Sequence, residues 1–180
     1  GDLKVVEAAF SFRLDRADDV RWNRDWGGGA LLDVGCYCVN ACRLFLGNEP
    51  RKVQAIASFH PEHDVDVSLH GTLYFGDGRF GVVSCGFDSG LRNHLHLSGT
   101  AGTITLPQAF LSWESAPELI LTRGDRPAER ETFAPVDVFA LEIADFADAI
   151  RTQRPPLLPP EEGLHNARIM DALLAAARRS

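Results

Sequence analysis

Hydrophobic and polar positions follow two rhythms along this chain. Lys4–Arg13 (KVVEAAFSFR), Lys52–His60 (KVQAIASFH), Asp66–Phe75 (DVSLHGTLYF), Arg79–Phe87 (RFGVVSCGF), His94–Ser98 (HLHLS) and Thr103–Leu106 (TITL) read as strands. Asp66–Phe75 and His94–Ser98 alternate with the period of two expected of half-buried strands. Gly76-Asp77-Gly78 predicts a tight hairpin turn between two of these runs. Glu118–Thr122 (ELILT) and Arg130–Phe133 (RETF) could add further short strands. After Pro135 the period lengthens to that of a helix, with Val138, Leu141, Ile143, Phe146, Ala149 and Ile150 on one side. Pro155–Pro160 breaks that helix, and Glu161–Arg179 closes the chain with Leu164, Ala167, Met170, Leu173 and Leu174 on one face.

One stretch interrupts the early strands. Trp26–Gly47 (WGGGALLDVGCYCVNACRLFLG) opens on three glycines, runs apolar from about Ala30 to Leu46, and ends on Gly47, a residue suited to a helix C-terminus. It predicts a helix, although Gly35 inside it opposes one. Asn48-Glu49-Pro50 predicts a turn after it.

The order strand, helix, several strands, two helices predicts an α+β fold. It is a single domain over residues 1–180, an open, mostly antiparallel sheet with helices packed on one face. The other face would be bare, which calls for a partner sheet or subunit and hence a homo-oligomer. Composition fits such a domain, with 45% hydrophobic and 24% charged residues among 180. The net charge of −7 argues against nucleic-acid and anionic-membrane partners. No uninterrupted apolar run approaches the roughly 20 residues of a membrane span. The N-terminus reads as a strand rather than a signal peptide, so the expected location is cytoplasmic. Cys36, Cys38, Cys42 and Cys85 lack paired ligand knuckles and read as small packed hydrophobes.

Candidate chemistry concentrates in the glycine-rich stretch. In a helix Asp33 and Tyr37 are four apart and share a face. Tyr37 is either a general acid/base or a packed tyrosine with a satisfied hydroxyl. Asp33 either binds substrate hydroxyls or caps the helix, and Asn40 extends the polar stripe or is a buried amide. Arg21 and Trp22 either line a pocket or form a surface ion pair and a packed indole. Asn93 and His94 are weaker candidates. His60 with His63, and His94 with His96, are histidine pairs without a recognisable third ligand, so no metal is expected. The glycines lack the G-x-G-x-x-G spacing, and no phosphate-binding loop of the G-x-x-x-x-G-K-[ST] type occurs.

Four segments, in this order, resemble the C-terminal domain of the Gfo/Idh/MocA (glucose–fructose oxidoreductase / inositol dehydrogenase) family: GDLKVVEAAFSF; Arg21-Trp22 followed by GGGALLDVGCYCVNACRLFLGNEP; GFDSGLRNHLHLSGTAGTITLPQAF; and FALEIADFADAIRTQRPPLLPPEEGLHNARIMDALLAAARRS. The resemblance implies part of a two-domain dehydrogenase that moves a hydride between NAD or NADP and a CH–OH group of a sugar, polyol or cyclic diol. A separate N-terminal Rossmann domain would hold the cofactor and supply a lysine from a Glu-Lys-Pro motif, which these residues lack. It implies catalytic roles for Tyr37 and Asp33 and substrate contacts for Arg21, Trp22, Asn40 and Asn93. Gly28 and Gly29 would approach the cofactor peripherally, and the open sheet face would pack subunits together. Many family members carry histidine where Tyr37 stands; a tyrosine resembles the branch of glucose–fructose oxidoreductase and dimeric dihydrodiol dehydrogenase. A non-catalytic dimerisation or ligand-binding module derived from the same fold is the alternative.

Overall fold

A computed structural model describes residues 1–47, 49–111 and 116–180. Eight strands form one sheet: β1 (Leu3–Arg13), β2 (Lys52–Phe59), β3 (Asp66–Gly76), β4 (Arg79–Gly86), β5 (Asp88–Gly99), β6 (Gly102–Leu106), β7 (Glu118–Thr122) and β8 (Glu129–Thr132). Their order across the sheet is β2-β3-β4-β1-β5-β6-β7-β8, antiparallel throughout except between β1 and β4. The expected hairpin is present: Asp77 and Gly78 both have positive φ, as a two-residue turn between twisted strands requires. Asn48, the first residue of the expected turn after the helix, lies outside the described residues. β5 begins at Asp88 rather than His94. Its first residues are polar and exposed, so they carry no alternation, yet they pair with the end of β1 from Ser11 to Arg13.

The expected helix after the glycines forms in two parts, a π-helical turn over Leu31–Gly35 and then α1 (Cys36–Leu46). Gly35 is there for proximity: a Cβ on it would lie 2.8 Å from the Cys85 sulfur and 2.7 Å from Leu31 Cδ1. The helix therefore rests almost directly on β4. Cys38, Val39, Cys42 and Leu46 bury against Val6, Ala8, Phe10, Val83 and Cys85 of the sheet. Burial pushes the Cys38 thiol well above its usual value and the Cys42 thiol to about 12, so both pack as small apolar groups. The stretch Arg24–Leu46 spans 23 residues and does meet the length and composition of a membrane-crossing helix, contrary to the expectation above. Here 61% of its most apolar 18-residue window is buried within the domain.

The last helix, α3 (Pro160–Ala177), packs Ile169, Met170, Leu173 and Ala177 on the same sheet face. It is tied to α1 by the buried Arg43, whose guanidinium donates to the Glu162 carboxylate at 2.9 Å and to the Glu162 carbonyl at 3.2 Å. The helix between them, α2 (Val138–Thr152), departs from expectation. Its apolar stripe does not reach the core: Phe139, Ile143, Phe146 and Ile150 are exposed, and Ala149 is its buried residue. On its exposed side Asp145 and Asp148 bind Arg154 at 2.6 and 3.0 Å and fold the proline-rich turn back onto α2.

The start of the π-helical turn is anchored from 35 residues away. Asp66, only 2% exposed at the head of β3, accepts the Leu31 amide at 2.7 Å. Burial lifts its carboxyl to about 6. A carboxyl raised in the fold adds stability that is complete below its unfolded pKa, near 3.9, and is lost as pH rises through about 6. Asp66→Asn keeps an acceptor without the charge. Its stability relative to the parent should therefore improve as pH rises from about 4 to 7, read by denaturant unfolding at each pH. Asp66→Ala should cost about 1–2 kcal/mol through loss of the cap.

Candidate functional site

The chain before the glycines turns twice, at Val20–Trp22 and Arg24–Trp26, capped by the side chains of Asp19 and Asn23. The glycine loop folds back onto these turns: the Gly28 amide donates to the Asn23 carbonyl and the Gly29 amide to the Arg21 carbonyl, each at 2.9 Å. This brings Arg21 over the π-helical turn, where its Nε donates to Asp33 at 2.8 Å and its Nη1 to Asp19 at 3.3 Å. Asp33 does not cap the helix; that role belongs to Asp66. Arg21 thus forms a part-exposed ion pair, and its guanidinium also rests 5.7 Å from the Phe12 ring.

Tyr37 sits in the first turn of α1 and is 45% exposed. Its ring leans on Phe10 and Phe110, with centroids 5.6 and 5.9 Å away. Burial of that side raises the phenol above its usual value, helped by nearby negative groups that include Asp33 and Glu142 of α2. At neutral pH Tyr37 is therefore protonated. Asn40, exposed one turn on, continues the polar stripe and is not a buried amide.

Other expected site residues make contacts within the fold. Trp22 donates its indole N–H to the Arg16 carbonyl at 2.8 Å and packs against Phe87, His60 and His63, away from Tyr37. Asn93 is buried, and its Oδ1 accepts the Phe110 amide at 2.6 Å. His94 lies on the opposite, outer face of the sheet, with Arg92 and His96. Gly28 and Gly29 face inward: a Cβ on Gly28 would strike the Arg21 carbonyl, and one on Gly29 the Asp66 carboxylate. Their smallness is explained by this packing alone. No group of three His, Cys, Asp or Glu suited to a metal occurs among the described residues. Sequence reading missed Asp66 and Phe110. Asp66 opens a strand and gives no local signal of its cap, and Phe110 lies in a loop outside both periodic patterns.

An acid, an arginine and a phenol thus lie about the head of a helix laid across an open sheet, in an α+β domain. The chain belongs to the Gfo/Idh/MocA family: the family model described as the GFO/IDH/MocA C-terminal domain matches residues 1–105. It is 34% identical to D-xylose 1-dehydrogenase (NADP(+)) 2 of Haloferax volcanii, over 98% of this chain and 54% of that protein. It is 35% identical to trans-1,2-dihydrobenzene-1,2-diol dehydrogenase of Mus musculus, over 70% of this chain and 36% of that protein. Among solved structures it superposes on KijD10, a 3-ketoreductase from Actinomadura kijaniata in complex with NADP and TDP-benzene. The TM-score is 0.91 at 28% identity, covering 98% of this chain and 54% of that one. KijD10 has also been solved with one tyrosine replaced by phenylalanine and with one lysine replaced. The chain spans about half the length of the curated relatives it matches over nearly its whole length.

The packing of the glycine loop makes a direct prediction. Gly28→Ala should destabilise the chain by about 1–3 kcal/mol in the absence of any nucleotide, as overpacking does, measured by thermal unfolding. An unchanged melting temperature would return that glycine to a cofactor role.

Proposed function

We propose that this chain is the substrate-side domain of an NAD(P)-dependent oxidoreductase acting on a CH–OH group of a sugar, polyol or cyclic diol. The observation that carries the reading is the Tyr37–Asp33–Arg21 arrangement on the helix that heads the family's domain. The nicotinamide, held by a second domain, would supply or take the hydride; this chain handles the proton. In the reducing direction Tyr37, kept protonated by its surroundings, gives its proton to the carbonyl oxygen. In the oxidising direction it must first be a phenolate, which a lysine ammonium beside it would favour. Such a lysine is expected from the cofactor-binding domain. Arg21 fixes the Asp33 carboxylate, leaving Asp33 to orient a substrate hydroxyl or that lysine, with Asn40 further along the same stripe.

Two uncovered surfaces support a larger assembly. One is the apolar stripe of α2, exposed at Phe139, Ile143, Phe146 and Ile150. It suits the cofactor-binding domain. The outer sheet face presents Ile56, Tyr74 and Phe80 and suits a second copy of this chain.

In the complete enzyme Tyr37→Phe should lower kcat by at least about 100-fold, the lower end for a lost general acid/base, without changing the fold. Near-normal turnover removes Tyr37 from the mechanism. The 180-residue chain alone, mixed with NADP and a panel of sugars and cyclic diols, is expected to show no turnover. For the second surface, sedimentation should report a dimer, and Phe80→Glu should shift it to monomer; a dimer indifferent to that charge would place the contact elsewhere.

A further inference from the structure

Three aromatic rings meet beneath the candidate site. Phe10 and Phe110 stack with centroids 5.6 Å apart and planes 10° from parallel. Tyr37 leans on both, at 56° to Phe10 and 46° to Phe110. Two of these rings are fixed by regular structure, Phe10 by β1 and Tyr37 by α1. Phe110 is not, because it lies beyond the end of β6 at Leu106.

What seats Phe110 is Asn93. The Asn93 carbonyl accepts the Ala109 amide at 2.8 Å, and its side-chain Oδ1 accepts the Phe110 amide at 2.6 Å. Asn93 stands directly opposite Phe10 in the β1–β5 ladder and is 7% exposed. One residue thus registers the loop to the strand that carries the partner ring. Both the hydrogen bonds to a buried side chain and the stacked aromatic pair favour this one placement of the loop.

We propose that Asn93 is a positioning residue for Tyr37: by accepting the Phe110 amide it holds the Phe110 ring against Phe10 and Tyr37 and so forms the apolar wall of the phenol's pocket. The side chain expected to touch substrate acts one layer further in. A wall of two phenyl rings excludes water from one side of the phenol, which disfavours phenolate. The use of this wall in catalysis rests on the function proposed above, but the wall and its test do not depend on turnover.

The chain has two tyrosines, so Tyr74→Phe leaves Tyr37 as the sole phenol in an ultraviolet titration. In that background Asn93→Leu, which keeps volume but drops the acceptor, should lower the titration midpoint of Tyr37. Phe110→Ala, which keeps the amide donor and the strand ladder, should lower it too. Combining the two should bring no shift beyond that of Phe110→Ala. An Asn93→Leu chain that melts cooperatively yet titrates like its parent overturns the proposal. Where Asn93→Leu does not fold, Phe110→Ala decides: a lowered midpoint supports the wall, and an unchanged one overturns it. In the complete enzyme the supporting variants should move the alkaline limb of the pH–rate profile in the same direction as the titration. Normal turnover of Tyr37→Phe, with the titration shifts intact, would reject the catalytic reading while leaving the positioning role in place.

Discussion

The site depends on how one helix begins. Asp66 reaches from the head of β3 to the Leu31 amide, and the glycine before that turn lets the carboxylate come close. A helix start has unsatisfied amides that need an acceptor, and here the acceptor comes from the sheet rather than from the preceding loop. Helix and sheet are therefore locked together at the point where the polar residues emerge. Gly35 completes the seat by letting the helix touch Cys85. With the start pinned and the first turn π-helical, Asp33 faces Arg21 while Tyr37 projects at the rim of the core. A charged group buried for this purpose is not free of cost, and the upward pull on the Asp66 carboxyl is the sign of it.

The polar residues of the site are paired before any substrate arrives. Asp33 is held by Arg21, and Arg21 is shared with Asp19. Such an arrangement spends little entropy when a ligand binds, because the carboxylate is already oriented. It also separates roles: charge is collected on the Arg21 side of the helix start, while Tyr37 keeps an aromatic surrounding that holds its proton. Two groups whose environments differ in this way can bind and donate without exchanging functions.

Most of the architecture was legible because strands and helices here obey their periods. β3, β4 and the heart of β5 alternate cleanly, and β7 falls on the residues that its apolar run marks. The polar lead of β5 was not legible, since residues exposed at a sheet margin need no alternation. Asp33 and Tyr37 could be found from their spacing, whereas Asp66 could not, because its cap joins residues far apart in sequence. Trp22 and Asn93 have the right chemistry for a pocket, but each spends a polar atom on the backbone, Trp22 on Arg16 and Asn93 on Phe110. A residue type shows what a side chain can do; its hydrogen-bond partner decides what it does.

The periodicity of α2 misled for a different reason. An amphipathic stripe states that a helix has something to bury, not where its partner is. The stripes of α1 and α3 meet this domain's own sheet, while that of α2 meets none of it. Four large apolar side chains in a row form a patch of the kind that soluble surfaces usually cover. The outer sheet face differs in kind, with Ile56 and Phe80 set among His70, Thr72, His94 and His96. A dry helix stripe suits a close apolar contact, and a mixed polar sheet face suits a wetter one. The two surfaces thus differ in what they can bury: the α2 stripe offers a dry apolar ridge, the sheet face a mixed polar and apolar one.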